Sequence, residues 1–315
     1  DIVNEPEFGR HARRPAPERM IQAYEHSAMT LNYIRALGEG GFADLHHPEY
    51  WNLGFVRHDS LRQEYQQIVD AILEALHFME AVSTNPIGDV DRVSFYTSHE
   101  ALLLPYEESF TRRALKDAPT YNLSTHFPWI GKRTSHVDGA HVEYARGIRN
   151  PLGLKIGPGT TTDGLISLLE RLNPDNEAGR ITLITRFGAN QIADGLAPLL
   201  AHVEREGRLV LWACDPMHGN TETLSNGIKT RRFDNIKSEL EQAFDLHADH
   251  GTILGGVHLE LTGENVTECI GGARGLEEED LHRAYQSQVD PRLNGEQALE
   301  LAFAIVRKRR AMLSK

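Results

Sequence analysis

The spacing of apolar residues changes near residue 90. Before it, two long stretches, 17–37 and 61–82, carry apolar residues at helical spacing and predict two long helices. After it, helical patterns such as 163–172 and 191–205 lie between short apolar runs. These runs occur at 93–97, 128–131, 152–156, 181–185, 209–213 and 257–261. Strands that alternate with helices predict a parallel sheet.

This order predicts an α/β architecture, either an open sheet or a barrel. A length of 315 residues is large for one compact domain but ordinary for an α/β barrel. We therefore expect residues 1–90 to form an N-terminal arm with a helical hairpin, and residues 91–315 to form the α/β part. No run reaches the roughly 20 apolar residues of a membrane span, so no membrane is expected as a partner.

The charge and cysteine counts exclude some classes of partner. Lys and Arg number 33 against 45 Asp and Glu, a net charge of −12, which disfavours binding to nucleic acid or an anionic membrane. The two cysteines, Cys214 and Cys269, cannot build a disulfide framework and suit a reducing compartment, so we expect the cytoplasm. The chain starts at Asp1 rather than Met, and we expect further residues upstream.

Basic side chains stand at the ends of three successive runs. Arg133 follows the run 128–131, Lys155 lies in the next run, and Arg186 follows the third. The carboxyl ends of parallel strands meet at one edge of a sheet or at one mouth of a barrel. Local Asp or Glu could neutralise each cation, because an unpaired buried charge is costly. Three cations on neighbouring strands favour the alternative, a site for phosphate or carboxylate.

A second group of side chains is typical of a metal site. His218 lies in D-P-M-H-G-N after the run 209–213, Glu260 lies in H-L-E-L-T, and Asp290 precedes Pro291. Such ligands suit a divalent cation such as Mn²⁺ or Zn²⁺, although their spacing alone would not join them. Cys214 is a rival ligand, but a small buried core residue is the better interpretation. Lys229, Arg231 and Arg232 could contact a phosphate, and a solvated loop is the safer interpretation.

Long motifs give the chain a resemblance to a known family. They are D-P-M-H-G-N-T, G-G-V-H-L-E-L-T-G-E-N-V-T-E-C-I-G-G, D-P-R-L-N-G-E-Q-A-L-E-L-A-F, W-I-G-K-R-T-S-H-V-D-G-A-H-V-E-Y and N-P-L-G-L-K-I-G-P. Over essentially its whole length the chain resembles the type II (plant-like) 3-deoxy-D-arabino-heptulosonate 7-phosphate (DAHP) synthases. These enzymes condense phosphoenolpyruvate with erythrose 4-phosphate and open the shikimate pathway, and some members feed secondary products such as phenazines. The resemblance implies a (β/α)₈ barrel into which residues 1–90 are inserted.

The resemblance also implies roles for individual residues. The metal ligands would be His218, Glu260 and Asp290. The metal would be Mn²⁺, with Co²⁺ and Zn²⁺ as alternatives. Lys155 and His218 would be the catalytic residues. The substrate contacts would be Arg133, Lys155, Arg186, the backbone N–H of Lys132, and Glu100, whose role is the least defined.

Two departures from the family pattern change the expectations. The family usually reads G-E-R-T-R where this chain has G-K-R-T-S, so Lys132 replaces an acid and Ser135 a base. The family also carries an N-terminal portion with the first two strands, a Cys ligand and an R-x-x-G-Q-x-x-K-P-R-S segment. We therefore expect a longer native chain and an unstable or inactive fragment. A homo-oligomer is expected, with chorismate mutase as a further candidate partner. A non-catalytic barrel that regulates another pathway enzyme is the rival hypothesis.

Overall fold

The computed structural model describes residues 4–5, 7–41, 54, 56–82, 94–113, 115–116 and 118–313. Internal contacts group the chain into two units. The first comprises Asp1–Trp51, Tyr65–Pro128 and Ile148–Asn150, and the second comprises Asn52–Glu64, Trp129–Gly147 and Pro151–Lys315. The division predicted at residue 90 stays a prediction.

The first unit contains the predicted helices and three short strands. Its elements are α1 (Glu18–Glu39), most of α2 (Asp59–Val82), β1 (Ser98–Glu100), α3 (Leu104–Ser109), β2 (Thr111–Arg113) and β3 (Thr120–Asn122). The prediction of two long helices is confirmed. Strands β2 and β3 form an antiparallel pair. Helix α1 follows Pro17, whose ring fixes a φ that suits a helix start.

The strand predicted at 93–97 is wrong in the part that the structure describes. Residues 94–97 are not in a strand, and β1 lies just after them. The N–H of Thr97 donates to the His126 ring, so it does not enter a strand ladder. An apolar run therefore predicted the neighbourhood of the strand but not its bounds.

The second unit contains alternating strands and helices. Strand β4 (Phe127–Ile130) begins in the first unit and continues in the second, where a 3₁₀ helix, Lys132–Thr134, follows. The elements after it are α4 (Ala140–Arg146), β5 (Leu152–Ile156), α5 (Thr162–Leu172), β6 (Ile181–Thr185), α6 (Ile192–Arg205), β7 (Leu211–Cys214), β8 (Thr221–Thr223), β9 (Lys229–Arg231), α7 (Phe233–Asp249), β10 (Leu254–Val257), a second 3₁₀ helix (Glu278–Arg283) and α8 (Gly295–Leu313).

The large sheet has six strands in the order β1-β4-β5-β6-β7-β10. The pairings from β4 through β10 are parallel, which confirms the predicted α/β class with a parallel sheet. All five residues of β5 are buried, as expected for a parallel strand covered on both faces. Strands β8 and β9 form a separate antiparallel pair. Among the described residues, no helix combines the length and the apolar character that crossing a bilayer requires.

The strand predicted at 257–261 is displaced in the structure. β10 ends at Val257, and residues 260–262 pair with a different segment. The N–H of Thr262 donates to the carbonyl of Leu293, and the N–H of Leu293 donates to the carbonyl of Glu260. In the sequence V-H-L-E-L of residues 257–261, apolar residues alternate with polar ones, and this alternation marked extended backbone correctly. The partner that satisfies that backbone is the segment just after Asp290, which brings Glu260 and Asp290 to the same place.

Candidate active site

Lys155 lies inside the sheet and has a protein partner. Its side chain is 3% exposed and its ammonium pairs with the carboxylate of Asp215. The same ammonium lies 4.9 Å from the centre of the Trp129 ring. Burial lowers the pKa of Lys155, while the charge of Asp215 opposes that shift. A nearby acid therefore neutralises the charge of Lys155 in this structure.

Asp215, at the carboxyl end of β7, joins Lys155 to His218. Its side chain is fully buried, and its Oδ2 lies 2.7 Å from His218 Nδ1. Its Oδ1 accepts the N–H groups of Met217 and His218 at 3.0 and 3.1 Å. Burial would raise the pKa of Asp215, but the hydrogen bond with His218 and the charge of Lys155 lower it below its usual value. A carboxylate at Nδ1 orients the imidazole and leaves Nε2 for another partner.

His218 Nε2 faces two carboxylates. It lies 3.1 Å from Glu260 Oε1 and 3.9 Å from Asp290 Oδ2. One donor atom from each of the three residues lies within 4.8 Å of the others. Burial would lower the pKa of His218, but hydrogen bonds to Asp215 and Glu260 raise it to about 9. A divalent cation at Nε2 would replace that proton.

The second oxygen of each carboxylate is held by a cation from β9. Lys229 Nζ lies 2.8 Å from Asp290 Oδ1, and the Arg231 guanidinium pairs with Glu260 Oε2. Lys229 and Arg231 are two residues apart on one strand, so they lie on the same face. Both carboxylates are therefore oriented with one oxygen towards His218. One imidazole nitrogen and two such oxygens fit a divalent cation.

The interpretation of Arg231 as part of a solvated loop is wrong. Its side chain is fully buried. It also donates to the Pro291 carbonyl and, at 2.9 Å, to the hydroxyl of Thr221. Arg231 thus ties the Glu260 segment to the residue that follows Asp290. The alternation of cations at 229 and 231 was the available signal, but the sequence does not reveal that the hairpin turns them inwards.

The rival ligand Cys214 is a core residue. It is fully buried, and burial raises its pKa well above that of an ordinary thiol, which disfavours the thiolate a metal needs. Cys269 is likewise free and buried, and its thiol donates to the Arg292 carbonyl. Within the described parts of the chain, the one group of three or more metal-type donors that meets is His218, Glu260 and Asp290.

Arg186 joins the same cluster through the backbone. Its Nη2 donates to the carbonyl of His218 at 2.8 Å. Lys132 and Arg133 lie in the 3₁₀ helix that packs against β5, where Lys132 is half-buried and Arg133 exposed. Glu100 lies in the first unit, in β1. In the described part of the chain, the side chains of Lys132 and Arg133 make no hydrogen bond to the cluster. The structure therefore joins Lys155, Arg186, His218, Glu260 and Asp290.

Comparison with known proteins gives consistent matches. The family described as the class-II DAHP synthetase family matches residues 1–306. Three relatives are named phospho-2-dehydro-3-deoxyheptonate aldolase. The Neurospora crassa protein is 48% identical over 97% of this chain and 66% of its own length. The Streptomyces coelicolor protein is 46% identical over 97% and 68%, and the Mycolicibacterium smegmatis protein, AroG, is 43% identical over 97% and 67%. The chain thus spans about two thirds of these relatives.

Proposed function

The chain belongs to the class-II DAHP synthetase family, and from this premise we propose that it catalyses the condensation of phosphoenolpyruvate with erythrose 4-phosphate and water. The products would be DAHP and phosphate, in the first step of the shikimate pathway. The observation that carries the proposal is that Asp215 joins Lys155 to His218, one of the three possible metal donors that meet among the described residues. We also propose that the parallel sheet is part of a (β/α)₈ barrel.

We propose that His218 Nε2, Glu260 Oε1 and Asp290 Oδ2 hold the metal, with Mn²⁺ first and Co²⁺ or Zn²⁺ as alternatives. Such an ion supplies Lewis acidity, which polarises the aldehyde of erythrose 4-phosphate. Asp215 keeps the Nδ1 side of His218 occupied, so that Nε2 faces the site. Lys229 and Arg231 hold both carboxylates in place.

Lys155 and Arg186 would bind the phosphoenolpyruvate anion. Both lie at the carboxyl edge of the sheet. Lys155 is joined to His218 through Asp215, and Arg186 donates directly to the His218 carbonyl. The planar fork of Arg186 suits a carboxylate or phosphate, while Lys155 provides a desolvated point charge. Fixed cations in a dry site stabilise charge as it develops and orient the reacting carbons.

The remaining contacts are proposed on the family match alone. Arg133 and the backbone N–H of Lys132 would reach the phosphates, and Glu100 stays a predicted substrate contact. The two buried free cysteines support a reducing compartment, and we propose the cytoplasm. A homo-oligomer and a chorismate mutase partner stay predictions.

The test is a turnover assay on the intact natural protein with added Mn²⁺. Loss of phosphoenolpyruvate should depend on erythrose 4-phosphate and should release one phosphate for each DAHP formed. A chelator should abolish the reaction and added metal should restore it. Metal binding without any turnover would contradict the proposal and favour the regulatory alternative.

A further inference from the structure

The loops that follow β6 and β7 are in direct backbone contact. We call residues 186–191 the β6 loop and residues 215–220 the β7 loop. A Cβ added at Gly219 would lie 2.3 Å from the Gly188 nitrogen. A Cβ added at Gly188 would lie 2.7 Å from the Gly219 carbonyl oxygen. Only glycine at both positions allows this approach. The first loop begins with Arg186 and the second carries His218, so the contact sets the distance between the anion site and the metal site.

Glu239 of α7 accepts hydrogen bonds from both loops. Its side chain is fully buried. One oxygen accepts the N–H of Phe187 at 2.8 Å, and the other accepts the side-chain amide of Asn220 at 2.7 Å. Asn220 Oδ1 in turn accepts the N–H of Ala189 at 3.0 Å. A closed ring of hydrogen bonds therefore runs from α7 to the β6 loop, across to the β7 loop and back to α7.

Burial of the Glu239 carboxyl group by itself lowers the free energy of unfolding. Burial raises the pKa of Glu239 to about 7, against the hydrogen bonds from the Gly188 and Phe187 backbone, which lower it. A buried carboxylate is tolerated only when hydrogen bonds compensate its desolvation. Here the compensating hydrogen bonds come from the Asn220 side chain and from the Phe187 backbone N–H, which lie in the two loops that carry site residues. The burial of Glu239 is therefore compensated only when both loops present these donors to its carboxylate.

We propose that Glu239 and Asn220 are positioning residues that form a clasp, holding Arg186 and His218 at a fixed separation. This inference rests on the proposed function. The hydrogen bond from Arg186 Nη2 to the His218 carbonyl needs that same separation. A displacement of about 1 Å at a reacting group can cost on the order of 100-fold in rate.

The clasp makes a prediction that a role in stability alone does not make. Loss of a residue that contacts one ligand should weaken that ligand only. Loss of the clasp should weaken the metal and phosphoenolpyruvate together, because both loops move. It should also loosen the two loops while the rest of the sheet stays protected from hydrogen exchange.

The test variant is Glu239→Gln, which keeps the shape of the side chain. Its amide nitrogen must face either the Phe187 N–H or the Asn220 amide, so one donor loses its acceptor. Glu241→Gln, on the same helix, is the matched control. Calorimetry would measure the Kd of Mn²⁺ and then of phosphoenolpyruvate with Mn²⁺ saturating, and hydrogen exchange would follow the β6 and β7 loops.

We expect both Kd values of Glu239→Gln to rise on the order of 10-fold, the low end for residues outside the ligand set. Exchange should become faster in both loops, and Glu241→Gln should match the wild type. Asn220→Ala breaks the clasp from the other side and should show the same pair of changes if Glu239→Gln fails to fold. Unchanged Kd values with unchanged exchange, or a change in one ligand only, would overturn the clasp. A wild-type protein that binds neither ligand would count against the proposed function. The clasp would still be tested by comparing hydrogen exchange of the β6 and β7 loops between the wild type and Glu239→Gln.

Discussion

Replacement of Asp215 by Asn should separate two roles of this residue. The amide oxygen can still accept the N–H groups of Met217 and His218. The amide nitrogen, however, takes the position of Oδ2, which faces the Lys155 ammonium and the His218 ring. The new amide N–H, the Lys155 ammonium and the His218 ring N–H are then three donors that face one another without an acceptor. His218 can respond by moving its proton to Nε2, the atom needed for the metal.

The magnitudes follow from burial. Lys155 is 3% exposed and its partner is fully buried. Removing one member of such a pair costs about 3–5 kcal/mol of unfolding free energy. Loss of a carboxylate that orients a ligating histidine costs about 10- to 100-fold in metal affinity. The two effects are separable, because replacing Lys155 by Met in the same chain removes the orphaned charge. That double variant should regain stability but not metal affinity.

The assay is Mn²⁺ calorimetry with denaturant unfolding on the wild type, Asp215→Asn and the double variant. Asp249→Asn, at the exposed end of α7, is the matched control and should change neither quantity. If Asp215→Asn binds Mn²⁺ as tightly as the wild type and unfolds at the same denaturant concentration, the reasoning about Asp215 is refuted.

Three further predictions concern other parts of the network. Lys229→Met frees one oxygen of Asp290, and calorimetry should show Mn²⁺ binding weakened about 10-fold; unchanged affinity would remove Lys229 from the site. Arg186→Ala should lower kcat/KM by roughly 30- to 1,000-fold, about 2–4 kcal/mol, and Lys132→Ala by less; the reverse order in steady-state kinetics would refute the anion site. The pKa of Glu239, raised by burial to about 7, means that the folded state binds more protons than the unfolded state between about pH 4.5 and 7. The free energy of unfolding should therefore fall as the pH rises from about 4.5 to 7, by on the order of 3 kcal/mol. Urea unfolding of Glu239→Gln at several pH values should lack this fall, and the same pH profile in both proteins would contradict the assignment.

The sequence predicted the sheet better than it predicted the site. Continuous apolar runs such as 152–156 and 181–185 became β5 and β6 with their predicted bounds, because parallel strands buried on both faces carry a distinct pattern. The strand predicted at 257–261 shifted, because alternation reports extended backbone but not its partner.

The candidate site residues were predicted from their positions along the strand pattern together with the family resemblance, while their supporting partners were not predicted. Asp215 precedes His218 by three residues, a spacing that marks a turn, yet nothing local shows that it also reaches Lys155, 60 residues earlier. Arg231 looked like a loop cation because its burial depends on the fold of the β8–β9 pair. Long-range partners of this kind follow from tertiary structure and leave no periodic signal.

The most direct test of the central claim is anomalous diffraction from crystals of the intact protein grown with Mn²⁺ and phosphoenolpyruvate. The account predicts one Mn²⁺ peak bonded to His218 Nε2 and to carboxylate oxygens of Glu260 and Asp290, with the anion against Lys155 and Arg186. Mn²⁺ held by other residues, or the anion bound away from these two cations, would contradict it.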